Sequence, residues 1–337
     1  MISKGALQRS LIAWIAILCC LSVIGGVIWA SNRALEITDE AYYILSAIYP
    51  EQILLYISAQ HWILAPLWKL TESLQGFRLT GAAILIGTAG ILGLGATQML
   101  GQLTGRKFFA LETIGVVAAG AVGALLYVAT IAPSPSYNLL ASAGAYAATG
   151  FTLLAARNRS LLVGVTLCLM AGLSLAICFV NKPSAGVCSA LVVLVLALTL
   201  QPGARKWLHI LAGLLGVTLT LVFLILVQPS EMPVQDSLSE GLELFRMVQT
   251  EPVGARLIRY AQTLLVSIGG ALVSFWPVVV LTIALLFRPR RWLAVLTLCI
   301  LVLNLIVERN YLAGSSSYPR MMEGVYSITL LMLLVGC

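Results

Sequence analysis

Ten apolar runs, roughly 11–30, 79–100, 110–130, 138–156, 161–180, 185–200, 207–227, 263–287, 292–307 and 324–336, divide the 337-residue chain, and they leave it few possible folds. A helix needs about 17–25 apolar residues to cross the ~30 Å hydrocarbon core of a bilayer, so repeated runs near that length predict an all-α polytopic membrane protein of about ten transmembrane helices. With 60% hydrophobic and only 10% charged residues, no soluble domain could hide the apolar surface. Lys4 and Arg9 precede the first run as they would in a secretory signal. Its 20-residue core exceeds the about 7–15 residues of a signal h-region, and we read it as a retained anchor. All seven cysteines lie in or at the edge of apolar runs; they read as small apolar packing residues and say nothing of redox compartment.

The net charge of +7 would suit nucleic acid, but its distribution points to topology instead. With the N-terminus cytoplasmic, the inner segments hold Lys4, Arg9, Arg106, Lys107, Arg157, Arg159, Arg205, Lys206, Arg288, Arg290 and Arg291 against the single acid Glu112. Short inner loops each carrying two or three Lys or Arg make the positive-inside pattern. Trp14, Trp207 and Trp292 fall at the predicted inner edges, where an aromatic belt would place them. The expected location is a plasma membrane, the inner membrane of a bacterium, with the active face outside or periplasmic. No nucleic-acid partner is expected.

Inner connections are tight, whereas 31–78 and 228–262 are long outer segments and 308–323 is a shorter third. Insertions kept to one face mark the face that binds or reacts. We divide the chain into a transmembrane module at 1–227 containing the first outer loop (31–78), an outer helical loop at 228–262, and C-terminal spans at 263–337. The tenth run is short, so this last section reads as a compact or an incomplete set of spans. In the first loop, Ala41, Ile44, Leu45 and Ile48 follow helical spacing, predicting an amphipathic helix from near Asp39 to Pro50. The following ILLYISAQHWILAPLWKL is interrupted by Gln60, His61 and Pro66, which predicts an interfacial or re-entrant piece. Small-residue stretches GTAGILGLG (87–95) and ASAGAYAATG (141–150) predict close helix crossings.

Asp39 and Glu40 are the first candidates for chemistry. A carboxylate beside the membrane can act as a general base or hold a divalent cation near a lipid phosphate; equally, two acids in a first helical turn are what the helix dipole favours. Lys182, between Asn181 and Pro183 at the outer end of the fifth span, either pairs with a phosphate or snorkels. Arg256 and Arg259, three apart before the eighth span, and Arg320 before the tenth are candidate phosphate ligands, or members of a surface network with Glu251, Glu308 and Glu323. Tyr42, Tyr43, Tyr49 and Trp62 either stack on a sugar or anchor at the interface. His61 reads as an interfacial residue, a metal site needing further ligands nearby. His209 has no assigned role.

ITDEAYYILS after the first span, HWILAPLWKLTESLQGFRLTGAAILIG, APSPSYNLLASAGAYAATGFTLL and GVTLCLMAGLSLAICFVNKPSAGV, taken in this order, resemble segments of the GT-C class of membrane glycosyltransferases. The nearest group in pattern is the protein O-mannosyltransferase and aminoarabinose transferase group, glycosyltransferase family 39. The resemblance covers roughly 11–200. It implies a GT-C-like fold and an inverting transfer of sugar from a polyprenyl-phosphate-linked donor to a glycan, lipid or protein acceptor. By position it implies that Asp39 is the base, with Glu40 its neighbour, that Lys182, Arg320, Arg256 and Arg259 bind the lipid phosphate, and that Tyr42, Tyr43, Asn138 and His61 contact sugar or acceptor. Two departures stand out: Ser134, Ser136 and Asn138 lie where relatives often carry an acid, and their His-Pro-Pro-Leu survives only as His61 and Pro66-Leu67. The metal site is left open, a divalent cation being the one candidate cofactor. The rival readings are a transporter or flippase of a lipid-linked substrate, and a non-catalytic subunit with this fold. Transporters place ionisable groups near the bilayer midplane, whereas here nearly every charge lies at a span end or in a loop.

Overall fold

The computed structural model describes residues 4–33, 39–52, 60–126, 133–201 and 203–227, together with isolated positions between 239 and 262. Within these the chain is helical: α1 (Lys4–Ala30), α2 (Asp39–Ile48), a 3-10 turn (Pro50–Gln52), α3 (Gln60–Thr71), α4 (Leu74–Thr104), α5 (Ala110–Leu126), α6 (Tyr137–Arg157), α7 (Leu161–Asn181), α8 (Pro183–Leu200) and α9 (Arg205–Val227). Five of them, α1, α4, α6, α7 and α9, are long and apolar enough to cross a membrane, and α5 and α8 supply shorter apolar segments. These seven helices fall on the first seven apolar runs. The runs at 263–287, 292–307 and 324–336 lie outside the described residues.

The helix boundaries follow local chemistry. Ser73, Ser136 and Ser160 cap α4, α6 and α7, each hydroxyl accepting an amide three residues on, which satisfies a first-turn N–H that the helix itself cannot. Gly105 ends α4 with φ 67°, a left-handed turn that costs glycine nothing. Helix α3 runs through Pro66 without breaking, so the proline is not the interruption that the sequence led us to expect. At 12 residues α3 is too short to span, and it buries Gln60, His61, Leu64 and Ala65 in the end of the bundle.

Helix α6 packs on both α4 and α7, α7 on α9, and α5 lies between α1 and α4. Both small-residue stretches make close crossings, as expected, and they make them with each other. A Cβ built on Gly95 would stand 2.7 Å from the Gly150 carbonyl oxygen, and one on Gly150 would stand 2.7 Å from Ile91 and Leu92 backbone atoms. Backbones this close gain dispersion contacts that lipid chains cannot replace.

Alternating helix directions sort the polar groups to two ends. At one end Glu112, only 3% exposed, accepts bonds from Arg9 and Arg106 at 2.7 and 2.8 Å and from the Phe109 amide at 3.1 Å. There too Arg157 reaches the Gln98 carbonyl and Arg205 the Arg159 carbonyl. His209 Nδ1 donates to Gln201 Oε1, and Gln201 Nε2 lies 3.9 Å from Cys168 Sγ, a buried polar tie among α7, α9 and the residue after α8. The other end carries α2, α3 and the candidate site.

Candidate functional site

The exit of α1, the first turn of α2, the second turn of α4 and the segment before α6 converge on one buried ion pair. Arg78 Nε donates to Glu40 Oε1 at 2.7 Å and Arg78 Nη2 to Glu40 Oε2 at 2.5 Å. The remaining terminal nitrogen of Arg78 donates to the carbonyl oxygens of Ser31, at 3.0 Å, and Arg33. Ser134 Oγ donates to Glu40 Oε1. Both side chains are almost wholly buried, at 4% and 0% exposure. A planar guanidinium and a carboxylate matched at two points form the strongest of side-chain pairs, and the three further bonds offset the desolvation that makes most buried pairs costly.

This pair gives the two adjacent acids different roles. Glu40 is committed to Arg78 and Ser134, whereas Asp39, the first residue of α2, is exposed. The reading of both acids as solvated first-turn residues therefore fails for Glu40. The buried face of α2 also differs from the expected one. Glu40, Tyr43, Ser46 and Ala47 are buried, while Leu45 is 54% and Ile48 39% exposed. The ion pair sets the rotation of the helix, and in a chain that meets lipid an apolar side chain can face outward without penalty.

Tyr43 continues from Asp39 along α2, one turn on. Its ring meets Tyr137 edge-on at 6.1 Å and Tyr42 at 5.9 Å; Tyr42 itself is exposed. Tyr43, Leu64, Phe77 and Leu140 form one apolar cluster with Ile177 packed against it, so α2, α3, α4, α6 and α7 share a core directly beneath this end. Gln60 Oε1 accepts the Tyr137 amide at 3.0 Å. Next to it His61 is completely buried inside the bundle end, with its ring 5.0 Å from that of Trp62.

Lys182 is the single residue between α7 and α8, with its backbone at the positive N-terminal end of α8. Its Nζ donates to Asn138 Oδ1 at 3.1 Å and stands 5.8 Å from the Tyr137 ring centroid. Thus two of the three polar residues noted in the segment entering α6 are engaged, Ser134 by Glu40 and Asn138 by Lys182. Arg256, Arg259 and Arg320 lie outside the described residues.

Sequence reasoning passed over Arg78 as a site residue. It was visible only as part of the Arg-Leu start of α4, and nothing in the local pattern paired it with an acid 38 positions away. A divalent cation does not fit the Asp39–Glu40 pair, because Glu40 already gives both oxygens to a guanidinium. Among the described residues no three His, Cys, Asp or Glu side chains gather in one place. Comparison with known proteins finds no family model, no curated protein and no solved structure that matches this chain. What the structure defines by itself is a multi-pass membrane protein, all-helical among the described residues.

Proposed function

We propose that this protein is an inverting glycosyltransferase of the GT-C type that takes its sugar from a polyprenyl-phosphate-linked donor at the membrane's outer face. The observation that carries the reading is the division between Glu40 and Asp39. A buried Glu40–Arg78 pair fixes the first turn of α2, and the adjacent carboxylate stands exposed at the same bundle end as Lys182. Rigid second-row support beneath an accessible acid is what a positioned general base needs.

In this mechanism Asp39 takes the proton of the acceptor hydroxyl or amine as that atom attacks the anomeric carbon. The bond from the anomeric carbon to the phosphate oxygen breaks with its electron pair on the phosphate. Lys182 and the N-terminal end of α8 stabilise the negative charge that grows there. Attack opposite the departing phosphate inverts the anomeric centre. The donor's energy lies in its phosphate ester, so no nucleotide-binding domain is needed. The acceptor is a glycan, lipid or protein; of the four residues proposed to contact it or the sugar, Tyr42 is exposed, whereas Tyr43, Asn138 and His61 are buried and would act only from beneath.

The test incubates purified full-length protein with radiolabelled polyprenyl-phosphate sugars and follows release of lipid phosphate for the wild type and Asp39→Asn. Turnover by the wild type alone is expected. Equal turnover by both removes Asp39 as the base, and no turnover with any donor overturns the transferase reading in favour of a flippase or a non-catalytic subunit.

A further inference from the structure

Asn181, the last residue of α7, is 2% exposed. Its Nδ2 donates to the Ile177 carbonyl at 2.7 Å, but its Oδ1 is buried with no hydrogen-bond partner among the described residues. A carbonyl oxygen in that state is costly, and natural proteins keep such groups mostly where something else satisfies them. Helical periodicity says where it lies. Ile177 packs against Tyr43, Leu64, Phe77 and Leu140, and Asn181 stands one turn further on the same face. That places it at the end of the stripe, next in the chain to Lys182, whose Nζ bonds Asn138 and stands over the Tyr137 ring. Trp62, on the first turn of α3 next to Gln60 and His61, has a buried indole Nε1–H that also lacks a partner among the described residues. An unmatched acceptor and an unmatched donor at the same bundle end are the complement of a hydroxyl, which both donates and accepts.

We infer that Asn181, aided by Trp62, recognises a hydroxyl of the sugar carried by the lipid phosphate, so that this end of the bundle distinguishes a sugar-bearing lipid phosphate from the bare one. The inference rests on the reading of the ligand as a lipid-linked phosphosugar, and deepens it. Half-buried Lys182 is the group that the phosphate meets first. As the phosphate draws the ammonium away from Asn138, the polyhydroxylated part reaches Asn181 beneath it. The unmatched oxygen thus acts in discrimination, since a ligand lacking the hydroxyl leaves it unpaired.

Binding to the full-length protein in nanodiscs separates the possibilities, with polyprenyl phosphate and a polyprenyl-phosphate hexose as the two probes. Wild type is expected to prefer the hexose-bearing lipid by about tenfold, the scale of one well-made hydrogen bond. Asn181→Leu should bring the two lipids to parity without weakening the bare one. Because leucine removes a buried unpaired acceptor at nearly constant volume, the ligand-free variant should melt no lower than wild type, which answers the objection of misfolding. Trp62→Phe should reduce the preference in the same direction. Wild type without preference, or Asn181→Leu retaining it, overturns the inference even where turnover is present. A preference that depends on Asn181 in a protein that transfers no sugar supports the inference and sinks the transferase reading alone.

Discussion

Glu40 and Arg78, separated by 38 positions in sequence, meet as a two-point ion pair that joins α2 to α4, and Arg78 carries the same grip on to the end of α1 through the Ser31 carbonyl. Removing one member leaves the other charged, buried and unpaired, which costs about 3–5 kcal/mol in comparable settings. Arg78→Met should therefore lower the thermal midpoint in detergent severely. Glu40→Leu combined with Arg78→Met should recover much of that loss, since an apolar pair carries no desolvation cost. A double variant as unstable as the single one would show that the pair's further bonds, and not its charge balance, hold the loop.

Asp39→Asn should behave differently from Glu40→Gln. Asp39 is an exposed first-turn residue, so its amide should cost no more than about 1 kcal/mol, the scale of a charge at a helix N-terminus, while loss of a general base should lower turnover about 10²–10⁴-fold. Glu40→Gln should reduce stability and turnover together. Melting curves and lipid-phosphate release measured on the same preparations check both.

The α4–α6 crossing should be intolerant of even one methyl group. Gly95→Ala places a Cβ 2.7 Å from the Gly150 carbonyl oxygen, a backbone atom that cannot swing aside, and overpacking of this kind costs about 1–3 kcal/mol. Gly87→Ala, on the same helix with nothing within 4 Å, should be neutral or slightly stabilising. Thermal midpoints of the two variants in one detergent make the comparison direct.

Membrane orientation is open to labelling. Glu51, in the 3-10 turn after α2, and Asn158, between α6 and α7, are both at helix ends on opposite sides of the bundle. In intact cells Glu51→Cys should react with a membrane-impermeant maleimide, and Asn158→Cys should react only after permeabilisation. Background from the seven native cysteines should be low, because they lie in or beside apolar runs. The reverse pattern would put the Asp39 end inside and exclude the proposed donor geometry.

The sequence by itself determined where the first seven apolar helices lie, that basic residues gather at one end of the bundle, that α2 begins at Asp39, and that the small-residue stretches allow close crossings, though not that they meet each other. Each of these is local, a matter of run length, capping chemistry or side-chain size. Which face of α2 turns inward was decided only by the tertiary structure. Apolar spacing had favoured Ala41, Ile44, Leu45 and Ile48, but in lipid an apolar side chain suits the outside as well as the core, so hydrophobicity loses its power to name the buried face. Adjacent residues of a helix also point about 100° apart, and only Arg78, arriving from another helix, selects Glu40 for burial and leaves Asp39 exposed. The same holds for Lys182 and Asn138, 44 positions apart, and for Asn181, whose unmatched oxygen is created by what surrounds it and leaves no mark in the sequence.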